Sequence, residues 1–280
     1  MTDNTANGTE NSGPMLAADG TSLKSSLNRA LRRQKLRALM LIAPLLVFVL
    51  VTFIAPIADM LFRSIENQIV ADTLPRTTMV LVEWDAESGE IPDPEVFEAL
   101  YKDVFIASER KLHTRLGSRL NYELTGVSSL FRKSGRKVED MGETYQDQFE
   151  DLNGFWKKGE NWSQMMGSDS WLEAQSGWDD KSGAAQPAYE PRAEIATLLP
   201  NTTEMYTAFA DFVQNDENDD LAKEDPWAIV YSALHADLAG GADVSSYSGP
   251  GSAELSEAAA VANGFETVDY TAAFADVDED

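Results

Sequence analysis

A chain of 280 residues with 47 acidic and 22 basic side chains carries a formal charge of −25, and it contains no cysteine and only two histidines. A disulfide framework, a thiolate nucleophile and a cysteine zinc site are thereby excluded, and no metal site or cofactor is expected. So negative a surface repels phosphates, so nucleic acid is not an expected partner.

The charge is unevenly spread. Up to Arg63 the chain holds seven basic and four acidic residues, whereas 64–280 holds 15 basic and 43 acidic ones. Residues 1–22 are rich in Gly, Asn, Thr and Asp without periodicity and read as a disordered cytoplasmic tail. Residues 23–37 form a basic arm carrying Lys24, Arg29, Arg32, Arg33, Lys35 and Arg37. Leu23, Leu27 and Leu31 in it recur at helical spacing.

Ala38 to Ala58 is then 21 residues long with Thr52 as its one polar side chain. At the helical rise this spans about 30 Å, the hydrocarbon thickness of a bilayer. We therefore expect a transmembrane helix, with its exit, over 38–63. Pro44 falls inside it and Pro56 is expected to mark its far end. The block is longer than a signal-peptide core and starts later in the chain, and Phe53 or Pro56 occupies the upstream position of each candidate cleavage site, so no cleaved signal peptide is expected. The basic excess at Arg29, Arg32, Arg33, Lys35 and Arg37 against Arg63 alone beyond the span places the N-terminus in the cytoplasm by the positive-inside rule. Residues 64–280 then become an acidic extracytoplasmic domain or loop. A second apolar run, from Pro226, is broken by His235 and Asp237.

Beyond the span, Arg76 to Asp85 alternates in part and is β-branched, predicting a short strand. Pro92-Asp-Pro-Glu95 starts a long helix whose apolar face runs through Phe97, Leu100, Tyr101, Val104, Ala107, Leu112, Leu116 and Leu120. Further helices are expected over 126–141, 192–199, 203–214, 226–238 and 252–263. Asn215 to Asp220 and the stretch around 240–251 should be exposed loops. No internal repeat is evident. The fold class is mainly α: one N-terminal transmembrane helix followed by a helix-rich extracytoplasmic domain with a minor β element.

Trp156, Trp162, Trp171 and Trp178 fall within 23 residues, among Glu160, Asp169, Glu173, Asp179 and Asp180. Aromatic faces beside carboxylates can enclose an ammonium group, making the four tryptophans candidate substrate-binding residues. The more common use of clustered tryptophans is as core anchors or a docking patch. The excess of basic over acidic residues between Lys102 and Lys137 is most simply matched internally by acidic loops.

Catalytic signatures are incomplete. Ser108-Glu-Arg-Lys111 has S-x-x-K spacing and Lys133-Ser-Gly and Lys181-Ser-Gly follow, but neither lies in a strand pattern and no convincing S-x-N lies between. Counting a calcium loop from Asp216 puts Leu221 at its glycine position and Trp227 at its terminal glutamate position. No catalytic residue is assigned.

Leu41-Ile-Ala-Pro44, the run to Phe53-Ile-Ala-Pro56 and the exit Met60-Leu-Phe-Arg-Ser64, preceded by a basic arm, resemble the first transmembrane helix of permease subunits of binding-protein-dependent ABC importers, especially the spermidine/putrescine type. The likeness covers about 30 residues. It implies a non-enzymatic import channel in an inner membrane, with a second permease subunit, a cytoplasmic ATPase and an extracytoplasmic solute-binding protein as partners. Glu257 to Gly264 imitates the start of that family's cytoplasmic coupling motif, but Phe274, Asp276 and Val277 stand where Ile, Leu and Pro belong. The resemblance thus implies that this chain is the N-terminal part of a longer permease, and that its acidic region is a long external loop that docks the binding protein or concentrates polycations. The alternative is a single-pass, membrane-anchored interaction or scaffold protein.

Overall fold

The computed structural model describes residues 23–58, 68–216 and 220–279. The expected tail over 1–22, the exit over 59–63 and part of the loop after Asn215 lie outside the described residues. Contacts divide the chain into two units, Met1–Asn67 and Gln68–Asp280.

In the first unit, α1 covers Leu23–Val49 with Pro44 in its interior. A π-helical turn, Leu50–Ile54, follows, and the backbone is again α-helical over 55–58. Pro56 accounts for the wide turn: it has no N–H to donate, and its ring crowds the carbonyl one turn earlier. Ala55 N–H accordingly bonds to Leu50 O, and the Thr52 hydroxyl donates to Phe48 O. Met40–Ala58 is long and apolar enough to cross a membrane, with a mean hydropathy of 2.7, and none of it is buried within the protein.

The second unit is built from short helices. These are α2 (Gln68–Thr73), α3 (Pro75–Leu81), α4 (Pro94–Glu109), α5 (His113–Leu120), α6 (Val127–Lys137), α7 (Asp140–Leu152), α8 (Gly159–Met166), α9 (Asp169–Ser176), α10 (Ala193–Leu198), α11 (Pro200–Asn215), α12 (Ala228–Ala239), α13 (Ser252–Val261) and α14 (Tyr270–Glu279). Among the described residues there is no strand, only an isolated bridge between Gly167 and Pro191.

The strand expected at Arg76–Asp85 is thus corrected to helix α3 and a following turn. Pro75 occupies the first helical position, where its fixed φ is already helical. A buried carboxylate completes that start: Asp103 on α4 accepts from Thr77 N and Thr77 Oγ1, both at 2.8 Å, and from Arg76 Nη1 at 3.0 Å. The same device recurs at Leu199-Pro-Asn-Thr202, where Asp237 on α12 accepts from Thr202 N at 2.8 Å, Thr202 Oγ1 at 2.7 Å and Asn201 Nδ2 at 2.8 Å. The preceding leucines share a conformation, φ −123°, ψ 58° and φ −126°, ψ 67°. Arg76 also pairs with Glu204, so the two helix starts are neighbours.

The long helix expected from Pro94 divides into α4 and α5 at Lys111, whose φ of 58° is left-handed. Leu112 N–H then reaches back to Ala107 O at 2.7 Å, closing α4 in the manner of a C-terminal cap. At the centre lies α12, buried from Ala228 to Leu238 except at Ala236. It packs against α7 and α11.

Candidate functional site

Three of the four tryptophans belong to the interior. Trp156, Trp162 and Trp171 are buried, whereas Trp178 is half-buried. Trp156 meets Trp162 edge-on at 5.3 Å and Phe149 at 5.5 Å, and Trp162 meets Tyr231 at 5.1 Å. The Trp156 carbonyl oxygen accepts from Trp162 Nε1 at 2.9 Å and from the Tyr231 hydroxyl at 2.8 Å. Trp171 Nε1 donates to Pro187 O and Trp178 Nε1 to Ala184 O. The first three therefore offer no open aromatic face for an ammonium ion, and they hold α7, α8, α9 and α12 together.

A cleft the tryptophan pattern did not indicate lies instead between α4, α7, α12 and the segment leading into α14. Its volume is about 580 Å³, and its walls include Glu95, Glu98, Tyr145, His235, Asp269 and Tyr270. Tyr145 stacks on His235 at 4.4 Å. His235 Nε2 donates to Ala262 O at 3.1 Å, which leaves Nδ1 as the unprotonated nitrogen of the neutral ring. Burial pushes the His235 pKa below its ordinary value, opposed by that hydrogen bond and by Glu98. Burial also raises the Tyr145 and Tyr270 hydroxyls.

The polar groups of this cleft are engaged with one another. Ser232 and Tyr270 share a hydrogen bond of 2.8 Å, and Tyr145 Oη accepts from Val268 N at 3.1 Å. Glu98 pairs with Lys102 at 2.8 Å, and Asp269 caps α14 by accepting from Thr271 N and Ala272 N. No hydroxyl here is bonded to the imidazole, so the cleft lacks the nucleophile–base contact that acyl transfer requires. Its walls combine the carboxylates Glu95, Glu98 and Asp269 with the rings of Tyr145, His235 and Tyr270.

The residues of the S-x-x-K pattern are also structural. Ser108 Oγ donates to Gly135 O at 2.7 Å, and Lys111 occupies the left-handed turn. Glu257 of the coupling-motif imitation accepts from Asn153 Nδ2 at 2.9 Å, and Ala258 and Ala262 are buried. No group of three or more potential metal ligands occurs among the described residues. Of the expected membrane span, Pro44, Phe53 and Pro56 are exposed, Ala38 opens the stretch and Ala58 closes it. The exposed side chains of Arg32, Lys35 and Arg37 precede it. Arg29 and Arg33 lie on the same helix. Comparison with protein-family models, curated proteins and solved structures returns no match.

Proposed function

We propose that this chain supplies the first membrane span and an acidic extracytoplasmic domain to the permease of a binding-protein-dependent ABC importer for polyamines or a related cationic solute. The observation that carries the reading is the exposed apolar stretch Met40–Ala58, which bears Leu41-Ile-Ala-Pro44 and Phe53-Ile-Ala-Pro56 and is followed in sequence by a separate acidic unit. An apolar face of this length belongs in lipid or against other apolar helices. On this reading the N-terminus is cytoplasmic, a separate ATPase drives transport, and the acidic unit either docks the solute-binding protein or enriches cations at the entrance.

The chain does no chemistry of its own on this account. The test is isolation of the native protein from its membranes in mild detergent, followed by mass analysis of everything that remains bound. A nucleotide-binding ATPase and a multi-span permease subunit in stable proportion are expected; a chain recovered without either contradicts the importer reading. A second reading is favoured by the self-contained core of Gln68–Asp280, which runs from Leu74 to Val277: a single-pass anchored interaction protein whose external unit works independently. Recovery with one soluble partner and no ATPase supports that alternative.

A further inference from the structure

The basic residues of the second unit are segregated. Residues 110–137 hold eight basic side chains and one acidic one, Glu123, whereas the rest of Gln68–Asp280 holds seven basic and 41 acidic ones. This basic stretch is the antiparallel hairpin of α5 and α6. Gly117 of α5 lies against Ser128 and Phe131 of α6, and Gly135 of α6 lies against the His113 ring at the other end.

Part of this charge is met within the unit. Arg110 pairs with Asp211 and Arg119 with Glu123. Lys111, Arg115, Arg132, Lys133 and Arg136 form no ion pair among the described residues, and all but Lys133 are exposed. Arg115 and Arg119 are one turn apart on α5, as are Arg132 and Arg136 on α6.

The tip of the hairpin is apolar and held in shape. Asn121 Oδ1 accepts from Gly126 N at 2.9 Å, and Gly126 takes the left-handed conformation at φ 104° that starts α6. The closed turn holds out Tyr122 at 85% exposure and Leu124 at 67%. An exposed aromatic and an exposed leucine at the tip, with the unpaired Arg115, Arg132 and Arg136 along the two helices behind it, form the pattern of a protein surface that meets a lipid interface.

We propose that the α5–α6 hairpin docks on anionic phospholipid headgroups, with Tyr122 and Leu124 entering the interfacial layer. The inference rests on the reading that Met40–Ala58 crosses the membrane. Nine residues separate Ala58 from Gln68, and fully extended they reach about 30 Å, so the lipid surface is the partner the tether keeps within range. The acidic remainder is repelled by the same lipid, and the opposed charges would orient the unit with its hairpin toward the membrane.

Because the chain has no cysteine, Leu124→Cys gives a single labelling site. The full chain, carrying an environment-sensitive fluorophore there, is placed in nanodiscs of phosphatidylcholine alone or mixed with phosphatidylglycerol, with a quencher on the lipid headgroups. The expected result is strong quenching in the anionic discs, weak quenching in the neutral ones and loss of the difference at high salt. Each basic residue near an anionic surface is worth about fivefold in binding, so combining R115E, R132E and R136E, which removes three such charges and adds three repelled ones, should lower the docked fraction relative to the undocked by at least about a hundredfold. A label at Glu173→Cys, in the acidic remainder, should stay unquenched.

Equal quenching in both lipids, or quenching untouched by the charge reversals, overturns the proposal. Concentration-dependent self-association without lipid that vanishes in the triple variant also overturns it, in favour of a second copy as occupant. Alkaline carbonate extraction reads the anchor separately. A chain that stays integral while its label is unquenched overturns the docking face alone; a chain released by carbonate overturns the span and the docking inference together.

Discussion

Asp237 is a buried carboxylate whose role follows from its hydrogen bonds. It receives the Thr202 and Asn201 backbone N–H groups and both of their side chains at the start of α11. Removing it leaves the buried Thr202 donors and the half-buried Asn201 donors without this acceptor. Asp237→Ala should therefore lower unfolding free energy by about 3 kcal/mol, and Asp237→Asn, which keeps one acceptor oxygen, by less. Urea titration of the three proteins reads the order. His235 makes a pH prediction: burial depresses its folded pKa, so the unfolded chain binds the extra proton first as pH falls. The stability from keeping the ring neutral is complete above the unfolded value of about 6.5 and is lost as pH falls toward the folded value. Melting temperatures from pH 8 to pH 5 should fall less for His235→Phe, which preserves the stack on Tyr145, than for the parent chain; parallel profiles would contradict this assignment.

At the scale of elements, the α5–α6 hairpin depends on glycine where the helices touch. A Cβ on Gly117 would lie 2.8 Å from Phe131 Cβ, so Gly117→Val should destabilise by about 1–3 kcal/mol through overpacking. Gly154→Ala, which meets nothing within 4 Å, should change stability by less than about 0.5 kcal/mol. Chemical denaturation of both variants makes the comparison. Helix α12 was legible because its run is mostly apolar, though broken by His235 and Asp237, and ends at Gly240. The Arg76–Asp85 segment misled because β-branched residues there suggested a strand, while the deciding contact, Asp103, sits 26 residues beyond Thr77. Helix α7 carried a readable signal in Met141, Tyr145 and Phe149 at fourfold spacing, but its polar surroundings hid it. The break at Lys111 had no local sign, since a lysine at φ 58° carries none of the glycine signature of such turns. Among the tryptophans, residue type alone could not separate a ligand platform from a core. The decision lay in partners far along the chain, such as Tyr231 against Trp162.

For the whole molecule, charge and hydropathy divide the chain in the same place. A basic arm precedes Met40–Ala58, and an acidic helical unit follows it. The importer reading, the anchored-protein alternative and the lipid-docking hairpin all require the arm and the acidic unit to lie on opposite sides of one membrane. The most direct measurement uses the cysteine-free chain with one cysteine at a time, Gln34→Cys in the arm or Glu173→Cys in the acidic unit, in right-side-out membrane vesicles exposed to a membrane-impermeant maleimide. Glu173→Cys is expected to react at once, and Gln34→Cys only after the vesicles are opened. Equal reactivity at both sites, or protection of Glu173→Cys with Gln34→Cys exposed, would contradict it.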